Sequence, residues 1–259
     1  MQHRTVACLA LQTMKTLAKK VALVTGGSRG IGAAIVKKLT AEGASVAFTY
    51  QKSEELARKV VNEAAAEGGE AIAIHADNSD ALSVINTVHE TARRFGRLDI
   101  LVNNAGIGMY KHITEFAIED FDNIVQVNVK AVFAASQAAI QYLKGGGTII
   151  TIGSCQAERM PGPGGSLYAM SKSALIGLTK GMARDLGADK ITANLIQPGP
   201  IDTDMNPASG PHASGQIELM ALDHFGSPHD IAALVCFLSR GEARYITGAA
   251  IAIDGGTNI

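Results

Sequence analysis

Tryptophan is absent, and seven phenylalanines and five tyrosines are all the aromatic residues in 259. Apolar bulk is therefore aliphatic, which suits a sheet buried on both faces by helices. Charge of either sign is not in excess: 23 Lys and Arg stand against 24 Asp and Glu, a net charge of −1. That excludes a nucleic-acid backbone as the main partner. The three cysteines, Cys8, Cys155 and Cys236, have neither disulfide-like nor metal-like spacing and suit a reducing compartment. The seven histidines form no zinc motif, so no metal is expected. No apolar run is long enough to span a bilayer. The opening Met1–Met14 is too short and weakly basic for a secretory signal, and Met14 offers an alternative start of translation. The expectation is a soluble, cytoplasmic protein with no membrane partner.

What is present is an alternation. Val21–Thr25 is an apolar run that stops at Gly26-Gly27-Ser28-Arg29-Gly30-Ile31-Gly32, followed by a helical pattern to about Leu39. Strands are expected at Ala44–Tyr50, Glu70–Ala76, Leu98–Asn103, Thr148–Ile152, Ile191–Ile196 and Ala249–Ile253. Helices are expected at Ser53–Ala66, Asn78–Phe95, Ile118–Leu143, Leu167–Leu186 and Pro228–Ser239. Residues 201–225, rich in Pro, Gly, Asn and Ser, read as a lid with one helix. Such alternation argues an α/β fold: a doubly wound parallel β-sheet with helices on both faces. A chain of this length can bury roughly three quarters of its unfolded surface without staples. Residues 1–19 read as an extension and 20–259 as a single domain.

Two stretches carry chemistry. A glycine-rich turn between a first strand and a helix is where backbone N–H groups and the helix dipole hold a pyrophosphate. Tyr168 and Lys172, four apart, share one face of a helix. On spacing alone they are simply neighbours. A lysine close to a phenol, however, favours phenolate and lowers its pKa, which suits Tyr168 to donate a proton to a reacting oxygen. Ser154, from another element, is placed to hold that oxygen.

Thr25-Gly26-x3-Gly30-x-Gly32, Asn103-Asn104-Ala105-Gly106, Asn128, Ser154, Tyr168-x3-Lys172 and Pro198-Gly199 occur in this order. Together they resemble the short-chain dehydrogenase/reductase family, and within it the single-domain reductases related to 3-oxoacyl-[acyl-carrier-protein] reductase. The resemblance implies a Rossmann fold and hydride transfer between a nicotinamide and a carbonyl or alcohol. Tyr168 would donate the proton, Ser154 would polarise the oxygen, and Lys172 would lower the phenol's pKa and bond the nicotinamide ribose. Asn128 would be the kinked residue that holds a relay water. The implied cofactor contacts are Gly26, Ser28, Arg29, Gly30, Ile31 and Gly32; Tyr50, Lys52 and Ser53; Asp77 and Asn78; Asn104, Ala105 and Gly106; and Pro198, Gly199, Ile201 and Thr203, besides Tyr168 and Lys172. It also implies a homotetramer, to which small residues would contribute: Ala131, Ala134, Ala135, Ala138 and Ala139 on one helix, Ala174 and Gly177 on another. Ordinary packing on the sheet accounts for them equally.

An acidic residue at the end of the second strand would favour NAD. Tyr50 stands there, with Lys52 following and Arg29 in the glycine turn, which favours NADP(H). Substrate walls are expected from Met109, Tyr110, Arg159, Met160 and the lid. A 3-oxoacyl thioester, a ketone or aldehyde, or a quinone all suit such a site. Cys155, with no histidine placed to activate it, reads as pocket wall. Thirteen residues separate Ser154 from Tyr168, one more than is usual in the family, and the Pro161–Gly165 loop has room for the extra one. That longer gap and Gln197–Ala208 are similar to a bacterial reductase-like protein linked to biofilm dispersal and cyclic-di-GMP binding, so a nucleotide-binding regulator stays open beside the enzyme.

Overall fold

The computed structural model describes residues 15–143 and 145–259. Most of the proposed N-terminal extension, with Cys8 and the alternative start at Met14, lies outside the described residues.

Seven strands form one parallel sheet: β1 Val21–Val24, β2 Ser45–Tyr50, β3 Glu70–His75, β4 Ile100–Asn103, β5 Thr148–Ile152, β6 Thr192–Pro198 and β7 Ala250–Ile253. Their order is β3-β2-β1-β4-β5-β6-β7. Strand order reverses between β1 and β4, which pair in parallel with Leu23 opposite Leu101. A doubly wound sheet binds its ligand beyond the carboxyl ends of the strands at such a point. The helices are α1 Gly30–Ala41, α2 Glu54–Ala66, α3 Ala81–Phe95, α4 Ile118–Val125, α5 Ala131–Leu143, α6 Ser166–Leu186, α7 Ala213–Ile217 and α8 Pro228–Leu238.

Side chains alternate across each strand, so every central strand feeds two cores. Ala22, Val24, Phe48, Val102 and Ile150 pack with α1 and α8 on one face. Leu23, Ala47, Leu101 and Ile149 pack with α3 and α5 on the other. All four residues of β1 and of β4 are buried, which is why these strands read as unbroken apolar runs.

Three expectations shift. The helix expected over Ile118–Leu143 is broken by a π-helical turn at Gln126–Lys130. Helix α3 starts at Ala81 rather than Asn78, because the Asp80 carboxylate accepts from Leu82 N at 2.9 Å and caps it there. The α5 alanines 131, 134, 135, 138 and 139 are all buried within the chain, so sheet packing accounts for them, whereas Ala174 and Gly177 on α6 are exposed.

Candidate active site

At the switch point the turn after β1 takes positive φ at Gly26 (68°) and Gly30 (53°), conformations that favour glycine. A Cβ on Gly32 would lie inside the Gly26 carbonyl oxygen and 2.6 Å from Asn104 Nδ2. This closeness is used: Asn104 Nδ2 donates to the carbonyls of Thr25 (2.9 Å) and Gly26 (3.0 Å), and Thr25 Oγ1 accepts from Asn104 N and Ala105 N, both at 3.0 Å. The β1 and β4 ends are thus locked together. Thr49 Oγ1 accepts from Gly26 N at 2.8 Å, a support that no sequence signal announced. Helix α1 has no side-chain cap and no acidic residue in its first turn. Its leading N–H groups therefore suit an external anion.

At the far corner Arg29 and Lys52 are both exposed, and Tyr50 stands edge-on to His75 at 5.5 Å. No carboxylate ends β2; Glu54 opens α2 and pairs with Arg58. Ser53 precedes α2 without a side-chain cap bond. Asp77 accepts from the Ser79 N–H and hydroxyl, which hold its carboxyl below the usual range. Asn78 is partly buried beside it. Beyond β6, a Cβ on Gly199 would lie 2.6 Å from Asp254 Cα, so only glycine fits. Ile201 is buried and bridges Gly226, and the Thr203 methyl lies 3.5 Å from where a Gly30 Cβ would point. The glycine turn and the loop after β6 therefore face each other.

Helix α6 brings Tyr168, Ser171 and Lys172 to the same end of the sheet. Lys172 is 6% exposed, donates to Ile152 O at 3.1 Å and sits 5.8 Å from the Tyr168 ring centroid. Burial lowers it to about 8. Gly106 lies alongside: a Cβ there would meet Asn128 Oδ1 at 3.2 Å and Lys172 Nζ at 3.4 Å.

Tyr168 behaves differently from expectation. Burial, then the Tyr110 and Cys155 side chains, push its phenol up, while the Ser154 hydroxyl works the other way. Cys155 is buried and pushed up to about 11, a thiol rather than a thiolate. Ser154 is buried, and its Oγ accepts from Gln156 N at 3.2 Å.

The Asn128 side chain is fully engaged. Its Oδ1 accepts from Ile107 N at 2.9 Å, and its Nδ2 donates to Ile107 O (2.9 Å) and Ser171 Oγ (3.0 Å). Ser171 Oγ in turn donates to Tyr168 O at 2.8 Å. Its place between Tyr168 and Lys172 on one helix was the available signal for Ser171. Among the described residues no cluster of three or more His, Cys, Asp or Glu is placed to hold a metal, and no helix is long and apolar enough to cross a membrane.

Known proteins match this arrangement over nearly its whole length. A family model described as Enoyl-(Acyl carrier protein) reductase matches residues 26–258. The Cyclic-di-GMP-binding biofilm dispersal mediator protein of Escherichia coli K12 is 44% identical over 236 residues, covering 91% of this chain and 96% of that protein. The Hydroxynaphthalene reductase-like protein Arp2 of Metarhizium guizhouense is 36% identical over 95% of this chain and 97% of its own. A short chain dehydrogenase from Burkholderia cenocepacia J2315, solved in complex with NADP, superposes with a TM-score of 0.93 at 53% identity, covering 94% of this chain and 100% of that one. With the family model running almost end to end over the seven-stranded parallel sheet, the chain belongs to the short-chain dehydrogenase/reductase family.

Proposed function

We propose that residues 20–259 form a single catalytic domain, an NADP(H)-dependent carbonyl reductase. The observation that carries this reading is the meeting of Ser154, Tyr168 and the buried Lys172 beside Gly106, at the switch point of a sheet whose first helix begins uncapped. The donor set fits an NADP dinucleotide. Gly26 through Gly32 with the α1 N-terminus suit the pyrophosphate. Arg29 and Lys52, with Tyr50 and Ser53, suit a 2′-phosphate, and Asp77 and Asn78 suit the adenine. Asn104, Ala105, Gly106, Pro198, Gly199, Ile201 and Thr203 would hold the nicotinamide half. The B. cenocepacia relative was solved with NADP.

When bound, NADPH supplies the hydride that reaches the carbonyl carbon. Ser154 orients and polarises the carbonyl oxygen by hydrogen bonding. Tyr168 gives its proton to that oxygen, completing the alcohol. Lys172 spends one N–H on Ile152 O, leaving two for the ribose hydroxyls. Asn128 positions this assembly by tying the segment after β4, at Ile107, to α6. A cytoplasmic homotetramer, with the exposed Ala174 and Gly177 face of α6 between subunits, completes the reading.

A second reading, a cyclic-di-GMP-binding regulator, is favoured by the 44% identity to the E. coli dispersal mediator. One experiment separates the two. NADPH and NADH oxidation is measured against a panel of a 3-oxoacyl thioester, a β-keto ester, an aromatic ketone and a diketone, with Tyr168→Phe in parallel. Turnover with NADPH that vanishes in Tyr168→Phe supports the reductase. Binding of cyclic-di-GMP by titration, with no turnover of the panel, supports the regulator.

A further inference from the structure

The walls above the reacting oxygen are built from an unusual set of neutral, polarisable groups. The Tyr110 ring lies 5.5 Å from the Tyr168 ring, tilted by 40°. Its hydroxyl donates to Gln156 Oε1 at 3.1 Å. Next to it, Lys111 N donates to Gly164 O at 3.0 Å, so the lengthened Pro161–Gly165 loop is tied to the segment that carries Tyr110. Gly165 packs close to the edge of the ring: a Cβ on it would meet Tyr110 Cε1 at 3.6 Å and Met160 Sδ at 2.6 Å. Tyr110 is thus fixed by its hydroxyl, its edge and its neighbouring backbone, yet 55% of it is exposed. A ring held in place with an open face is a surface for stacking, and its ordering cost has been met before any ligand arrives.

Cations flank this wall. Arg159, the candidate for holding an acidic substrate group, donates one N–H to Thr257 O at 2.9 Å, a neutral partner. Lys111 pairs with Asp120 at 2.8 Å. Lys172 is buried below the phenol on the Ile152 carbonyl.

We propose that Tyr110 is a specificity-determining residue and that the site takes flat carbonyl compounds, aryl or conjugated ketones, whose π-face lies against its ring. This rests on the reductase reading above. The lengthened loop has a purpose in it, since it braces Tyr110 through Gly164 and Gly165.

The test is NADPH-dependent turnover of two substrates, an aryl methyl ketone and an aliphatic methyl ketone, by wild type and by Tyr110→Phe, Tyr110→Leu and Tyr110→Ala. Wild type is expected to favour the aryl ketone over the aliphatic one by about tenfold in kcat/KM, the size of one aromatic contact. Tyr110→Phe keeps that preference within about twofold, because the ring face is retained. Tyr110→Leu, which keeps bulk without a π-face, and Tyr110→Ala lose it, mainly through KM for the aryl ketone. Equal loss on both ketones would overturn the proposal while leaving the reductase intact. No turnover of any substrate by wild type would overturn both. Circular dichroism checks that each variant folds.

Discussion

A lysine held at 6% exposure with one carbonyl partner has lost most of its hydration, which is why Lys172 falls to about 8. The consequence for stability has a definite sign. Below pH 8 the folded and unfolded chains both hold the proton, and the fold bears the full cost, about 3 kcal/mol at most. Between pH 8 and the ordinary lysine value of 10.5 the folded chain has released its proton while the unfolded one keeps it, so stability rises with pH. Tyr168 opposes this only above pH 10, where its raised folded pKa makes the unfolded phenol ionise first. Urea unfolding of the cofactor-free protein should therefore show the stability gap between Lys172→Met and wild type narrowing from pH 7.5 to 10. A gap that stays constant would mean Lys172 is already neutral at pH 7.5 or solvated. For Tyr168 itself, Tyr168→Phe removes the proton donor but not the ring that meets Tyr110. Its kcat should fall by about 10²- to 10⁴-fold, with NADPH binding, read by nucleotide fluorescence, unchanged. Retention of more than about a tenth of the wild-type rate would assign the proton to another group.

Among the elements, the π-helical turn at Gln126–Lys130 does the most to assemble the site, and periodicity did not reveal it. Ile118–Leu143 carries one continuous helical apolar pattern, and a single widened turn shifts the pattern by too little to register. Asparagine in mid-helix was the one visible anomaly, and Asn128 proves to use both of its amide N–H groups and its oxygen in hydrogen bonds. Its partner Ser171 is wholly buried and links it to the Tyr168 backbone. Ser171→Ala leaves an Asn128 N–H unpaired in the interior. The expected loss is about 1–3 kcal/mol by chemical denaturation. Because Ser171 positions α6 rather than touching substrate, kcat should drop more than KM rises, and Ser171→Thr should restore part of it. The glycine turn was legible for the opposite reason: its geometry demands a residue type. Gly32→Ala would drive a methyl into the Gly26 carbonyl and Asn104, so β1 and β4 must part. Loss of NADPH binding together with a lowered melting temperature is expected. An unchanged titration would show that the turn tolerates the shift.

For the molecule as a whole, the parallel sheet was legible because β1, β4, β5 and β6 are buried throughout, while turn glycines and helical periods separate them. Contacts made across the chain were not legible, since nothing local marks Arg159 as bound to Thr257, 98 residues away, or Thr49 as the acceptor for Gly26. The glycine turn faces Thr203 of the loop after β6, and Gly199 of that loop packs on Asp254, so a dinucleotide bound as proposed would bear on segments from Gly26 to Asp254 at once. Binding to the folded state alone then stabilises the whole chain. At a hundred times its Kd, NADPH adds about 2.7 kcal/mol. For a domain of this size that raises Tm by roughly 5–10 °C. On the proposed reading, the exposed Arg29 and Lys52, with no carboxylate at the end of β2, would make the 2′-phosphate the group that separates the two nicotinamide cofactors. NADH at equal concentration should raise Tm distinctly less, and Arg29→Glu with Lys52→Glu should remove the difference by weakening NADPH. Equal shifts with both cofactors in wild type would mean that this corner does not read the 2′-phosphate, and would return cofactor choice to the adenine side at Asp77.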